Sequence, residues 1–327
     1  MALSIEELDR FDVLHAEWDG LLARSAFGMS IFSTWDWQRL WWRVFGGSAT
    51  ARLLAVRDGD SLIGIWPLME EGAALSLIGG AEVCDYLDVI ALAGREAEVL
   101  AAGLAHLGAA ASLLDLRFLP AASPTLAQIP ALAGRSGWEV ACAVDDVCPT
   151  VVLPGDWESY LAALSKKDRH ELRRKLRRLA EAGELRGEVA AGDEGLARDT
   201  ADFLRLHRLS RPEKAAFMDR AMEEFFRAII AHFRPLGRMK TYFLALDGQR
   251  VAATLCVEHG DELWLYNSGF DRDYAQQSVG LALKAFCIED AIALGKRKVD
   301  FLRGREPYKY DLGAQDVPVY RLRLVKA

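Results

Sequence analysis

Two short segments of this chain resemble each other. Leu54-Ala55-Val56-Arg57-Asp58-Gly59 is similar to Phe243-Leu244-Ala245-Leu246-Asp247-Gly248, 189 positions later, and the same offset sets Gly80 on Gly269. An offset of 188 sets Asp85-Tyr86 on Asp273-Tyr274, and one of 185 sets Asp115 (in Leu114-Asp115-Leu116) on Asp300 (in Val299-Asp300-Phe301). Landmarks kept in one order at nearly one spacing mark a duplicated structural unit. Each copy reads as a hairpin, a third strand, a helix and a fourth strand. The expectation is an α/β protein of two tandem units, 1–150 and 151–327, each a mixed, mostly antiparallel sheet flanked by helices.

The local signals agree with that plan. In the first half, strands are expected at Arg52–Arg57 and Ser61–Leu68 around an Asp-Gly turn, and at Leu75–Ile78, Tyr86–Ile90, Leu113–Phe118 and Trp138–Ala143. Apolar residues at three- and four-residue spacing predict helices over Ile5–Arg24, Phe32–Gly46 and Arg95–Leu107, and another starts at Pro124. In the second half, helices are expected near Trp157–Leu164, Lys166–Ala182, Glu194–Leu209 and Met218–Phe233. Strands follow at Met239–Leu246, Arg250–Glu258 and Glu262–Gly269, then a helix ending at Leu294 and a strand at Val299–Arg303. Trp35, Trp37, Trp41 and Trp42 read as core packing ahead of a sugar- or base-stacking stripe.

At 51% hydrophobic and 27% charged, the chain can bury a core and is not disordered. Its longest apolar run, Val99 to Leu114, has 16 residues, short of the ~18–20 that span a bilayer. There is no secretory leader pattern at the start. The expectation is therefore a cytoplasmic protein with no membrane span. The five cysteines include no C-x-x-C pair, so they read as small hydrophobes, with no metal site. Zincin, nucleophile-elbow, Walker and dinucleotide motifs are missing too.

Charge separates the halves. Residues 1–150 carry 9 arginines, no lysine and 20 acids, a net −11, while the remainder carries 31 basic and 27 acidic side chains, a net +4. A locally basic half inside an acidic protein points to an anionic ligand there. The loops differ in the same direction. Between Asp273-Tyr274 and its helix, the second copy has Gln277-Ser278-Val279-Gly280-Leu281-Ala282. The first has Leu87-Asp88-Val89-Ile90 and no glycine until Gly94. A helix N-terminus offers unpaired amides and the positive end of a dipole, so a pyrophosphate can bind where no side chain blocks the backbone. Gly280 gives that approach, Gln277 can add a donor, and Ala282 keeps the first turn slim.

The order hairpin, strand, Q-x-x-G-x-A loop, helix, strand resembles the GNAT acetyltransferases. It resembles their CelD-type (cellulose biosynthesis) branch most in Phe32-x-x-x-Trp35 with Trp41-Trp42, in Asp85-Tyr86-x-Asp88, and in Arg169-x-x-Leu172-Arg173-Arg174-Lys175. The run Asp300-Phe301-Leu302-Arg303-Gly304 followed by Tyr308-Lys309 is shared as well. These landmarks cover most of the chain. The branch is in turn similar to the Fem-type peptidyltransferases, which have two GNAT-like units. One departure is Val279, where family members often have proline.

The resemblance implies two GNAT-like units, the second holding acetyl-CoA or another acyl-CoA at 277–282 and the first without cofactor. It implies N-acyl transfer to a small-molecule or saccharide amine, an amino sugar or polysaccharide precursor by family association. Such chemistry needs a proton acceptor for the amine, a polarised thioester carbonyl and a proton for the thiolate. The strand around Asn267, Ser268 and Gly269 can polarise the carbonyl. Tyr308 is the candidate acid, with Tyr310 in reserve, and Asp300 or Glu306 can draw the amine proton. Lys309 and Arg303 can hold an anionic acceptor or phosphate, and Asp85 and Tyr86 of the first copy can form a wall for the acceptor. The basic helix 166–182 reads as a solvated face, as a wall attracting CoA phosphates or an acidic acceptor, or as an RNA contact. The last belongs to the alternative of a Fem-like transferase using aminoacyl-tRNA. A second alternative is a catalytically silent subunit of a polysaccharide synthesis complex.

Overall fold

The computed structural model describes residues 3–25, 30–80, 82–109 and 111–326. The chain forms two compact units, Met1–Val147 with Val317–Ala327, and Cys148–Asp316. The division falls beside the expected residue 150, but the C-terminal segment joins the first unit, not the second.

In chain order the first unit contributes β1 (Ser4–Leu8), α1 (His15–Leu22), α2 (Trp35–Phe45), the hairpin β2 (Thr50–Asp58) and β3 (Ser61–Glu71), β4 (Ala74–Leu77) and β5 (Ile90–Ala91). It continues with α3 (Glu96–Leu107), β6 (Leu113–Pro120), α4 (Pro124–Ala133) and β7 (Trp138–Val152). The second unit has α5 (Trp157–Ala163), the basic α6 (Lys166–Ala180), β8 (Leu185–Ala190), α7 (Leu196–Ser210), α8 (Pro212–Phe217) and α9 (Arg220–Phe233). Then come β9 (Met239–Leu246), β10 (Gln249–His259), β11 (Glu262–Phe270), α10 (Val279–Ala293), β12 (Lys298–Asp300) and α11 (Pro307–Asp311), followed by β13 (Gln315–Lys326), which from Val317 on belongs to the first unit. Side-chain caps fix several helix starts: Thr34 accepts from Trp37 N, Ser123 from Leu126 N, Asp156 from Ser159 N, Ser165 from Asp168 N and Asp219 from Met222 N.

The two sheets have the same topology. In the first unit β1, β2, β3 and β4 pair antiparallel in sequence, β4 pairs parallel with β6, and β6 pairs antiparallel with Val319–Val325 of β13. In the second unit β8, β9, β10 and β11 pair antiparallel, β11 pairs parallel with β12, and β12 pairs antiparallel with Thr150–Val152 of β7. The aspartates of the repeat hold matching places: Ser76 faces Asp115 in one parallel pair and Trp264 faces Asp300 in the other. The fold is thus two tandem GNAT-like α/β units.

Four local expectations change, one of them the strand Val299–Arg303, which stops at Asp300. Ile5–Leu8 is strand, not helix, because it adds an edge strand to β2, with Ile5 opposite Val56. Tyr86–Val89 is irregular buried chain, and only Ile90–Ala91 pairs with β3. Its backbone is satisfied elsewhere, as Leu87 N donates to Phe118 O at 3.1 Å. Strands β8 and β13 lie where the local pattern gave no strand signal. Trp35, Trp37 and Trp41 are core residues, and the indole of Trp35 donates to Phe11 O at 2.9 Å. No helix among the described residues is long and apolar enough to cross a membrane, and no cluster of three or more of their His, Cys, Asp and Glu side chains is placed to hold a metal ion.

Candidate active site in the second unit

The site begins where two parallel strands part. β11 pairs with β10 as far as Phe270 but with β12 only through Glu262, Leu263 and Trp264. Leu255 faces Asn267 while Cys256 faces Leu265, so Tyr266 is an extra, bulged residue in β11. A bulge bends its strand and sharpens the local twist. The stretch Leu265–Phe270 therefore has an edge that β12 does not cover. Beside this edge lies a cavity of about 260 Å³, walled by β11, the start of α10, the α7–α8 junction and the chain before and within α11.

The α10 wall carries the predicted loop. Ser278 is left-handed (φ 59°) and stands at the helix start. Its carbonyl accepts from the amides of both Leu281 and Ala282, each at 3.0 Å. The amides of Val279 and Gly280 have no partner among the described residues, so they are the free donors of the first turn. Ser278, Val279, Gly280 and Leu281 line the cavity, whereas Ala282 is buried under the helix. A Cβ on Gly280 would stand 3.0 Å from the Phe270 ring. The Oε1 atom of Gln277 is buried without a partner.

On the strand wall, Ser268 lines the cavity and Gly269 does not. A Cβ at Gly269 would collide with the backbone of His207 and Leu206, so this glycine lets α7 lie directly on β11. Asn267 Oδ1 accepts from Ser268 N at 2.9 Å, and Lys214 of α8 donates to Ser268 O. Lys284 of α10, 7% exposed, donates to Ser268 Oγ at 3.1 Å and to Gly280 O at 3.4 Å. Burial pulls the Lys284 ammonium down to about 8. Burial, joined by the Lys284 charge, pulls Lys214 down to about 7. His207 beneath them is pushed down to about 3, first by burial and then by the Lys214 charge, and so is neutral at ordinary pH.

The remaining wall brings together two of the expected catalytic residues. Glu306 and Tyr308 both line the cavity. Burial alone would raise the Glu306 carboxyl, but the Lys309 ammonium outweighs it and holds the group below the usual carboxylate range. Burial, reinforced by Glu306, raises the Tyr308 phenol, so Tyr308 is protonated at neutral pH. The Lys284 ammonium lies 4.8 Å from the Tyr308 ring centroid.

Other expected residues do not line the cavity. Lys309 is buried and donates to the carbonyls of Leu302, Arg303 and Gly304 at 2.9, 2.9 and 3.0 Å, and it pairs with Glu306 at 3.0 Å. Its hydrogens are committed to the loop, which gives it a structural task in place of the anion contact expected of it. Asp300 is buried and accepts from Leu302 N at 2.8 Å. That bond fixes Leu302, whose φ of 54° is rare for a branched side chain. Arg303 does not line the cavity, and Tyr310 donates to Asp316 at 2.7 Å. Asp85 and Tyr86 are buried within the first unit. Lys167 and Lys175 of α6, with Asp168, Glu171 and Leu281, line a separate cavity of about 250 Å³ beside the start of α10.

Sequence reasoning missed Lys214, Lys284, Arg211 and Ser210, all on the main cavity wall. Lys284 had a signal: it is the one cation among the apolar residues that α10 buries. Lys214 and Arg211, in a polar segment after a helix, had none.

Residues 166–310 match the family model described as "Acetyltransferase (GNAT) domain". No curated protein matches the sequence. Among solved structures the chain is similar to FemX at 12% identity, covering 97% of this chain and 96% of that one with a TM-score of 0.63. A conserved protein of unknown function from Bacteroides thetaiotaomicron is similar at 12% identity over 99% of this chain and 100% of that one, with a TM-score of 0.61. A tandem GNAT protein from the clavulanic acid biosynthesis pathway is similar at 15% identity over 98% of both chains, with a TM-score of 0.51. At these identities the likeness is one of fold. The class they define is a two-unit GNAT fold, whose second unit holds the segment matching the acetyltransferase domain.

Proposed function

We propose that the protein is an N-acyltransferase that moves an acyl group, acetyl in the first instance, from coenzyme A to an amine. The observation that carries this reading is the pair of free amides on Val279 and Gly280, opening on the same cavity as the uncovered edge of β11, Glu306 and Tyr308. The amides and the helix dipole suit the CoA pyrophosphate. The thioester then lies along β11, where backbone amides can polarise its carbonyl. The amine nitrogen attacks that carbon, the C–N bond forms and the C–S bond breaks. Glu306 draws the amine proton through water, and Tyr308 protonates the departing thiolate. Asp300 and Lys309 act behind this site, holding the loop that presents Glu306 and Tyr308.

The acceptor we favour is an amino sugar or polysaccharide precursor, in keeping with the resemblance to the CelD-type branch. The test is calorimetry with acetyl-CoA on the wild type and on Gly280→Trp, which fills the approach to both free amides. Unchanged affinity in the variant would remove the pyrophosphate site. The likeness in fold to FemX supports a second reading, aminoacyl transfer from tRNA. Copurifying tRNA that is lost at high salt, with no acyl-CoA binding, is the result that would replace the first reading with this one.

A further inference from the structure

Acyl transfer from CoA explains the free amides, Glu306 and Tyr308. It does not explain two cations in the same cavity. Lys284 is more than nine-tenths buried and Lys214 is half-buried, and both converge on Ser268, one at its hydroxyl and one at its carbonyl. Neither lies within 4.0 Å of a carboxylate among the described residues. Arg211 adds a third positive charge at the rim, and the one acid on the wall, Glu306, is already paired with Lys309. A buried charge is costly unless it is paired. An amine acceptor and a thioester need no such pairing, and a cationic wall repels an approaching ammonium.

The CoA pyrophosphate is not the missing partner. Its donors are the amides at the start of α10, whereas Lys284 lies one turn into the helix with its nitrogen turned onto β11. The cations thus flank the strand edge where the reacting carbonyl is placed.

We propose that this cavity binds a carboxylate carried by one of the two substrates next to the reacting carbonyl, with Lys214 and Lys284 as its specificity-determining contacts. The inference rests on the acyl-transfer reading for its position along β11, and on the unpaired lysines for its chemistry. The carboxylate belongs either to a dicarboxylic acyl chain or to an amino-acid acceptor. In both cases it pairs the two ammonium groups and leaves Ser268 between them.

The deciding experiment titrates the CoA-loaded protein with succinate and follows the Nζ signals of Lys214 and Lys284 by NMR. A saturable shift of both signals is expected, lost in Lys214→Met and, independently, in Lys284→Met. No saturable shift, an equal response to neutral succinamide, or a response to inorganic phosphate but not to succinate would each overturn the proposal. Succinyl-CoA against butyryl-CoA then locates the carboxylate. A preference of about tenfold or more for succinyl-CoA, abolished by Lys214→Met, places it on the acyl chain. Equal use of the two donors with the succinate response intact places it on the acceptor. Loss of acyl-CoA binding with that response intact would count against acyl transfer and not against the carboxylate site.

Discussion

Helices α3 and α10 lie in the chain between the last antiparallel strand of the main sheet path in their units (β4, β11) and the strand parallel to it (β6, β12), yet their first turns are opposite in character. That of α3 carries Glu96 and Glu98, and the Gly94 amide before it is taken by Glu96 Oε1 at 3.0 Å. That of α10 carries no acid, and its Val279 and Gly280 amides are free. Carboxylates at a helix N-terminus satisfy the same dipole and donors that an anionic ligand would use. Both units share the frame, and their first turns differ in whether carboxylates already meet the helix dipole. The aspartates after the helices diverge as well. Asp115 forms a two-pronged ion pair with Arg321 at 2.6 and 2.7 Å, whereas Asp300 turns back to the amide of Leu302. One locks a strand to its neighbour and the other shapes a loop that reaches the cavity.

The largest expected effect is on turnover. Tyr308→Phe should lower kcat by about 10²–10⁴-fold with little change in acyl-CoA affinity, if the phenol protonates the thiolate. Full turnover in this variant would move the acid elsewhere. Gly280→Trp should weaken acyl-CoA by on the order of a hundredfold in calorimetry, since two hydrogen bonds to a charged group are lost. The matching change in α3, Ala97→Trp, should leave affinity unchanged. Equal losses in the two variants would erase the distinction between the helices.

Stability sharpens the comparison further. Lys309→Met should cost about 3 kcal/mol in denaturant unfolding, because three carbonyls and Glu306 lose their shared partner. Gly269→Ala should cost about 2–3 kcal/mol, since α7 must move off β11. A wild-type melting temperature in Gly269→Ala would mean that the close approach is not needed.

The smallest effect is on pH dependence. Burial sets both lysines low: Lys214 to about 7, aided by Lys284 and Arg211 and opposed by Glu306, and Lys284 to about 8, aided by Lys309 and opposed by Cys287, Cys256 and Glu306. His207 is neutral and Tyr308 protonated across this range. Both ammonium groups are therefore charged below about 7 and lose their protons as pH climbs through 7 and then 8. Succinate binding should weaken by about tenfold between pH 6.5 and 9, readable in the same NMR titration. Affinity that rises over that interval would contradict the charge assignment.

The repeat and the glycine loop were open to sequence reasoning because they are local. An Asp-Gly turn, a helix start and an alternating strand are each written within a few residues. Expectation parted from structure where long-range pairing outweighs local pattern. Ile5–Leu8 has the composition of a helix start but gains a ladder by pairing with β2. Polar, glycine-containing Leu185–Ala190 becomes strand because β9 offers an edge. Among the residues that line the cavity, Gly280, Ser268, Glu306 and Tyr308 are open to loop pattern and resemblance. Lys309 was assigned a ligand because a lysine beside a tyrosine shows nothing of its burial.

By itself, the sequence determined that this chain holds two copies of one α/β unit and that only the second has an unobstructed glycine loop at its helix start. Short-range backbone preferences and spacing are enough for both. Tertiary structure alone decided which charges meet. Lys214 and Lys284 stand 70 positions apart in the chain, and only the parting of β11 from β12 brings both onto Ser268. Burial then removes the water that would otherwise have screened them, and this is why the charges of the cavity could not be read from the order of its residues.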